Sequence, residues 1–486
     1  MLTYDPSPVI GGAPKSKLPI VVDLDGTLVL SDTLHETAAM ALFRNPVGFG
    51  RSLLSLTKGR HALKAALASE VNVVDEVFPL REDLVKWLRE KAQEGHKLHL
   101  CSAADQTIVD KIAQRVGIFA SATGSANVNL KGKAKAAYLQ KQFPSGFIYA
   151  GDHDVDIPVW EVSDGIVLAG TSQDVSQRAK MLGKPVLQEF HNTPLKVREF
   201  MRAIRVHHWT KNILLFVPII LAHEWTNPSL IAQTIVAFFC LLAVTSATYL
   251  LNDIADLNAD RHHWSKRSRA LASGRLAISS GFFIAGSLLL GGFFVALILS
   301  LEFATALLAY LLITGSYSLG LKRVPLLDTL IIGILFTTRL IMGITLLENQ
   351  RPEWLLTFAV FFFFSLATAK RHTEIVRAAS SGADSLTSRG YQLEDAALTL
   401  ALGVGAAIAS LVVFMIFVLQ ELTPGFAYTR PELLSGISII MAIWLGRIWL
   451  LSHRGQMNDD PVSFAIRDRV SIGLGIVVAL LFLVAL

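Results

Sequence analysis

Hydrophobic and polar positions follow two regimes along this chain, and the change comes near residue 200. Residues 1–200 have the mixed composition of a water-soluble protein. From about Ile213 to Leu486, apolar runs follow one another, separated by short polar loops. Runs of roughly 20 residues can cross a hydrocarbon core of roughly 30 Å. A soluble protein has nowhere to bury so many helices that are apolar on every side. The pattern predicts nine spans, at 213–226, 230–251, 277–298, 303–320, 326–347, 354–369, 396–420, 433–452 and 470–486. Pro218 interrupts the first.

The loops give the spans a direction. No basic start, apolar stretch and small-residue cleavage site opens the chain, so the first 200 residues are expected to stay in the cytosol. The loops on that side are then 252–276, 320–325, 370–395 and 453–469. They hold Arg261, Lys266, Arg267, Arg269, Arg275, Lys322, Arg323, Lys370, Arg371, Arg377, Arg389, Arg454, Arg467 and Arg469. The opposite loops hold Arg351 and Arg430. This is the asymmetry expected when basic loops stay inside. It accounts for most of the basic pI of about 9.1 and leaves no need for nucleic acid. Cys101 and Cys240, one in each half, exclude a disulfide framework or a thiolate metal site.

In the first half, Pro19–Val22 reads as a short buried strand ending in Asp23-Leu24-Asp25-Gly26-Thr27. Two carboxylates thereby stand at a strand's C-terminal edge, where open α/β sheets bind ligands. A second strand, Leu98–Cys101, ends in Ser102, and a third, Phe147–Ala150, ends in Gly151-Asp152-His153-Asp154-Val155-Asp156. Between them lies Lys131-Gly132-Lys133-Ala134-Lys135. In this order the four pieces resemble the haloacid dehalogenase superfamily of phosphohydrolases, over residues 18–185. The resemblance implies that Asp23 is the nucleophile and Asp25 the acid/base. Ser102 and Lys135 would hold the phosphoryl group, and Asp152 with Asp156 would bind Mg²⁺ alongside Asp23. A carboxylate attacking a phosphate dianion needs that neutralisation. Lys131 and Lys133 stay open as alternatives to Lys135. Residues 31–95 look helical and occupy the place of the family's cap. Lys58, Arg60 and Lys64 there face either a second phosphate or a sugar, or simply solvent. Residues 185–200, with Pro185 and Pro194, read as a linker between domains 1–184 and 201–486.

The second half carries Asn252-Asp253-Ile254-Ala255-Asp256-Leu257-Asn258-Ala259-Asp260 at the cytosolic end of its second span. On a continuous helix Asp253, Asp256 and Asp260 share one face. Three carboxylates gathered at a membrane boundary repel one another. Mg²⁺, which favours a few carboxylates completed by phosphate oxygens, would offset this. The motif resembles the UbiA superfamily of intramembrane prenyltransferases, over residues 200–486, and nine spans match that architecture. Tyr317–Arg323 and Asp328 fit it too. Members that prenylate aromatic rings carry a second aspartate cluster after the sixth span, where this chain has Ala369-Lys370-Arg371-His372-Thr373-Glu374. One acidic and one basic cluster suit a magnesium-diphosphate and a separate phosphate.

Arg205-x-x-His208-Trp209-Thr210-Lys211-Asn212, the stretch from Asp260 to Arg269 with Ala272-x-Gly274, Lys370-Arg371 with Glu374, and Arg467-Asp468-Arg469 resemble the decaprenyl-phosphate phosphoribosyltransferases. Residue 270 is Ala where that group's pattern has Pro. The resemblance implies transfer of 5-phosphoribose from phosphoribosyl diphosphate to a polyprenyl phosphate. Asp253, Asp256 and Asp260 would hold the metal. Lys266 and Arg269 would hold the sugar 5-phosphate, and Arg205, Lys211, Lys370 or Arg371 the lipid phosphate. Asn252, Lys322 and Glu374 complete the implied substrate-binding set.

The expected architecture is an N-terminal α/β domain, a Rossmann-like parallel sheet with a helical cap, followed by an all-α bundle of nine transmembrane helices. The expected protein is an inner-membrane enzyme, Mg²⁺-dependent in both domains, with phosphoribosyl diphosphate, a polyprenyl phosphate and the bilayer as partners; a homo-oligomer is left open. A lipid-phosphoryl 5-phosphoribose still carries a phosphomonoester, so the first half would hydrolyse the product of the second to polyprenyl-phosphoryl ribose. The alternative is a prenyltransferase joining a polyprenyl diphosphate to an aromatic or polar acceptor, with an independent phosphatase. A cation pump is disfavoured, because pumps carry Asp-Lys-Thr-Gly where this chain has Asp23-Leu24-Asp25-Gly26.

Overall fold

The computed structural model describes residues 17–71, 76–125, 130–347, 352–380, 385–386, 389–423, 428–457, 464–465 and 467–485. Arg351 and the side chain of Arg60 lie outside the described residues. The chain forms two compact units, one of residues 1–203 with 250–283, the other of residues 204–249 with 284–486.

The first unit is built on six parallel strands: β1 (Ile20–Val22), β2 (Leu98–Asp105), β3 (Ser121–Ser125), β4 (Ile148–Gly151), β5 (Gly165–Ala169) and β6 (Val186–Phe190). Their order is β3-β2-β1-β4-β5-β6. Val21 is level with His99 of β2 and Tyr149 of β4. The three residues of β1 are fully buried, as befits a strand covered on both faces. Period-two alternation sends Ile20 and Val22 to one apolar layer and Val21 to the other. The first layer includes Leu84 and Leu88 of α4 (Glu82–Gln93) and Ile108 and Ile112 of α5 (Gln106–Val116). The second includes Leu139 of α6 (Lys133–Gln142) and Trp160 of α7 (Ile157–Val162). The chain leaves β1 toward β2 on one side and returns as β4 on the other, which makes β1 the switch point of the sheet.

The predicted cap is helical over α1 (Thr33–Arg44), α2 (Pro46–Leu54) and α3 (Arg60–Glu70). Asp32 caps α1 by accepting from Leu34 N and His35 N. Helix α4, inside the predicted cap range, covers the sheet instead, because Leu84, Val85 and Leu88 align on one apolar face. The predicted linker 185–200 is ordered structure: β6 is the sheet's edge strand and Val197–Ala203 is helical.

Seven helices among the described residues are long and apolar enough to cross a membrane. They are Pro228–Ala255, Ile278–Leu299, Leu301–Leu319, Leu327–Ile344, Glu353–Ser380, Asp395–Leu422 and Glu432–His453. The ninth predicted span is a shorter apolar helix, Arg469–Ala485. The first is not one helix. A 3₁₀ run, Val206–Phe216, leads into the short helix Val217–Leu221. Pro218 has no N–H to give a helix interior and stands in its first turn. In the second unit, Leu340, Phe363, Leu366, Ala407, Leu445 and Trp449 form one apolar core across four of these helices.

Candidate functional site

Asp23, Asp25, Ser102, Lys135, Asp152 and Asp156 line one cavity of about 330 Å³. The sheet puts them there: Asp23 follows β1, Ser102 lies in β2, Asp152 follows β4 and Lys135 stands in the first turn of α6. One oxygen of Asp23 accepts from Leu24 N at 2.7 Å and the other meets Lys135 Nζ at 2.8 Å, so its carboxylate is fixed from both sides. Lys135 is buried, and Nζ donates to Tyr149 Oη at 2.9 Å. That hydroxyl donates to Asp156 Oδ1 at 2.8 Å. Asp23 and Asp156 hold Lys135 protonated against its burial, well above the usual lysine range. Lys131 also lines the cavity, while Lys133 is exposed.

Burial, with Asp32 and Asp23 nearby, pushes Asp25 up to about 6, although Thr33 N donates to it at 2.8 Å. Burial, then Asp156 and Asp23, pushes Asp152 up to about 8. Gly26, at φ +70°, is what lets Asp152 come this close: a Cβ there would lie 2.1 Å from Asp152 Oδ2. Ligand oxygens of Asp23, Asp152 and Asp156 lie within 4.8 Å of one another. Three clustered carboxylates faced by one lysine suit a divalent cation with oxygen ligands.

In the same unit, the helix α8 (Gln173–Lys180) and the helix α9 (Val197–Ala203) are followed by residues 250–283, which bring the second acidic motif. The expected continuous helical face does not form. With α10 (Val217–Leu221) intervening, α11 (Pro228–Ala255) stops before Asp256, which adopts φ −96°, ψ 11° and opens α12 (Leu257–His262). Asp253 and Asp260 are buried and Asp256 is exposed. Arg269 Nη1 bridges Asp253 Oδ1 at 3.0 Å and Asp260 Oδ2 at 2.6 Å. Burial raises Asp260 while Arg269 lowers it, with a net upward shift. Lys266 Nζ stands 3.8 Å from Asp260, and Asn252 is half-buried. Arg269 therefore sits where a metal would compete for Asp253 and Asp260, and these residues fit Mg²⁺ only with the guanidinium displaced.

The other predicted residues belong to the second unit. Arg205, at φ 56°, lies over the Tyr249 ring at 5.4 Å, and Lys211 over Phe336 at 5.6 Å. Lys322 and Lys370 are half-buried. Arg371 is buried and its guanidinium is committed to Asp328, from Nε at 3.0 Å and Nη2 at 2.8 Å, and to Glu374. Tyr391 Oη donates to the other oxygen of Asp328 at 2.7 Å. Arg371 is thus held in a buried ion-pair network with two carboxylates, and Lys370 beside it is half-buried.

Three participants escaped the sequence reading. Tyr149 joins Lys135, Asp23 and Asp156; alternation in β4, which sends Ile148 and Ala150 to the other layer, was the signal for its side. Glu36 of α1 makes a buried bidentate pair with Arg261, at 2.6 and 3.0 Å. Arg339, buried within a predicted span, donates to Asn212 Oδ1 at 2.9 Å and Tyr310 Oη at 3.1 Å. An arginine inside an apolar run is the signal for the last.

The model of the UbiA prenyltransferase family matches residues 213–471. The chain is 41% identical over 471 residues, 97% of this chain and 91% of the relative, to uncharacterized protein y4nM of Sinorhizobium fredii. It is 32% identical over 288 residues, 58% of this chain and 92% of the relative, to nodulation protein NoeC of Azorhizobium caulinodans. Over 193 residues, 38% of this chain and 60% of the relative, it is 31% identical to decaprenyl-phosphate phosphoribosyltransferase of Mycolicibacterium smegmatis.

Proposed function

We infer that this chain, which belongs to the UbiA prenyltransferase family, moves 5-phosphoribose from phosphoribosyl diphosphate to a polyprenyl phosphate and then removes the 5-phosphate. The similarity to decaprenyl-phosphate phosphoribosyltransferase of M. smegmatis supports the first step. The observation that carries the pairing is one of connectivity. Residues 250–283, with Asp253, Asp256, Asp260, Lys266 and Arg269, fold into the same compact unit as the cavity of Asp23.

In the transfer, the bond from the anomeric carbon to diphosphate breaks and a bond to an oxygen of the lipid phosphate forms. Asp253 and Asp260, joined by Asp256, would hold Mg²⁺, which supplies charge neutralisation for the departing diphosphate. Arg269 exchanges its carboxylates for the anionic substrate, with Lys266 beside it. The nucleophile is already an anion and needs no base. Lys370, Lys211 and Arg205 offer positive charge to the lipid phosphate, with Lys322, Asn252 and Glu374 as supporting polar groups.

In the hydrolysis, Asp23 attacks the phosphorus of the 5-phosphate and the P–O5 bond breaks. Asp25, raised to about 6, gives its proton to the leaving oxygen. Water then cleaves the aspartyl-phosphate, Asp25 takes its proton, and inorganic phosphate leaves. Asp23, Asp152 and Asp156 would hold Mg²⁺ here, while Ser102 and Lys135 hold the phosphoryl oxygens. The basic loops support the cytosolic side of the inner membrane as the place of this chemistry.

The test is a membrane assay with phosphoribosyl diphosphate labelled in the ribose, polyprenyl phosphate and Mg²⁺. Label is expected in a lipid that lacks the 5-phosphate, and Asp253→Ala is expected to abolish it. Label that enters only lipid-phosphoribose detaches the hydrolysis, and no labelled lipid overturns the transfer.

A further inference from the structure

The cavity that holds Asp23 is not walled by the sheet domain alone. Ala277 and Ile278 line it as well. Ile278 is buried and is the first residue of α13 (Ile278–Leu299), an apolar helix long enough to cross a membrane. Contacts within this unit hold the segment beside the cavity. Arg261 pairs with Glu36 in buried bidentate geometry, and its Nη1 and Nε also donate to Val77 O and Ala272 O, each at 2.9 Å. Asn258 Oδ1 accepts from Val77 N at 3.2 Å. Gly274, at φ +75°, lies so close to the loop after β1 that a Cβ there would be 2.7 Å from Leu30 Cβ. Phe282, one turn into α13, stacks on Phe43 of α1 at 6.3 Å and 7°.

Polar groups face the same space. Ser31, only 8% exposed, lines the cavity and its hydroxyl has no hydrogen-bond partner among the described residues. A buried hydroxyl without a partner is costly unless a ligand supplies one. His35, at the exposed start of α1, lines the cavity too.

We propose that Ser31, His35, Ala277 and Ile278 form a leaving-group subsite that selects a phosphomonoester carried on a membrane lipid over a water-soluble one. The hydroxyl and imidazole meet the polar head that bears the phosphate. The apolar wall, continuous with a spanning helix, receives the first part of the lipid. A soluble sugar phosphate leaves that wall bare and gains nothing from it. This rests on the hydrolytic half of the proposed function and extends it to substrate class.

The test uses the full chain in phosphatidylcholine vesicles and two synthetic esters with the same head, methyl-phosphoryl ribose 5-phosphate in solution and a long-chain alkyl-phosphoryl ribose 5-phosphate in the vesicle. The expected kcat/KM is higher for the lipid ester by about tenfold or more, the range that an apolar subsite supplies. Ala277→Trp, which fills the wall, is expected to lower that ratio about tenfold, and Ser31→Ala to raise KM for the lipid ester. Equal kcat/KM for the two esters in the unaltered protein overturns the proposal without any variant, as does a ratio that Ala277→Trp leaves in place. Both esters are made without the transferase, so failed transfer leaves this result readable. No hydrolysis of either ester sinks the hydrolytic reading itself.

Discussion

Asp152 packs against Gly26, where a Cβ would lie 2.1 Å from its Oδ2, and its carboxylate stands within reach of Asp23 and Asp156. The resulting crowding sets a pH dependence. Burial and its two acidic neighbours raise Asp152 to about 8, so the metal-free site binds a proton below that pH. A metal ligand must be deprotonated, so proton and Mg²⁺ compete. The apparent Mg²⁺ affinity for phosphate release is expected to fall about tenfold per pH unit below about pH 8, in the limit of one proton. A Mg²⁺ titration at several pH values reads the slope; a flat one removes Asp152 from the metal set. Lys135 is the cation that Asp23 and Asp156 share. Lys135→Met is expected to lower kcat for phosphate release by about 100-fold or more, the scale of a lost transition-state donor. Most of this cluster was legible in the sequence, because acid-x-acid-Gly after a short apolar run fixes its own place at a sheet edge. Tyr149 was not, because an aromatic in a strand reads as core until its hydroxyl's partners are known.

At the scale of elements, the pair Glu36–Arg261 joins helices 225 positions apart in the chain, and no local pattern announces it. Both side chains are almost wholly buried. Removing one partner leaves the other charge buried and unpaired, at a cost of about 3–5 kcal/mol. Arg261→Leu is expected to lower the thermal midpoint of the detergent-solubilised chain clearly, and Glu36→Leu with Arg261→Leu to recover most of the loss. Additive losses in the double variant would count against a direct pair. The break at Asp256 was illegible for a related reason. Spacing predicts a shared face only while the helix continues, and here the chain turns so that Asp253 and Asp260 both reach Arg269. Arg269→Ala is expected to lower kcat/KM for phosphoribosyl diphosphate by about tenfold or more, the loss of a charge-assisted contact. Unchanged kcat/KM would assign Arg269 to structure alone. The first predicted span was misread through Pro218, which the hydropathy pattern counts as a gap and the chain uses to begin a helix.

Across the whole molecule, the hydropathy change near residue 200 precedes the long apolar helices, yet it does not separate the compact units. Residues 250–283 carry the transferase motif and fold with the sheet. Contacts distant in sequence decide that membership, and composition is blind to them. That membership supports the proposal that one chain makes a lipid-linked phosphomonoester and then removes the phosphate. The most direct measurement is the mass of the lipid product made from phosphoribosyl diphosphate and polyprenyl phosphate by membranes carrying the chain or its Asp23→Asn variant. The unaltered chain is expected to yield polyprenyl-phosphoryl ribose, and the variant to accumulate the same lipid heavier by one phosphoryl group. An identical final product from both would overturn the two-step sequence.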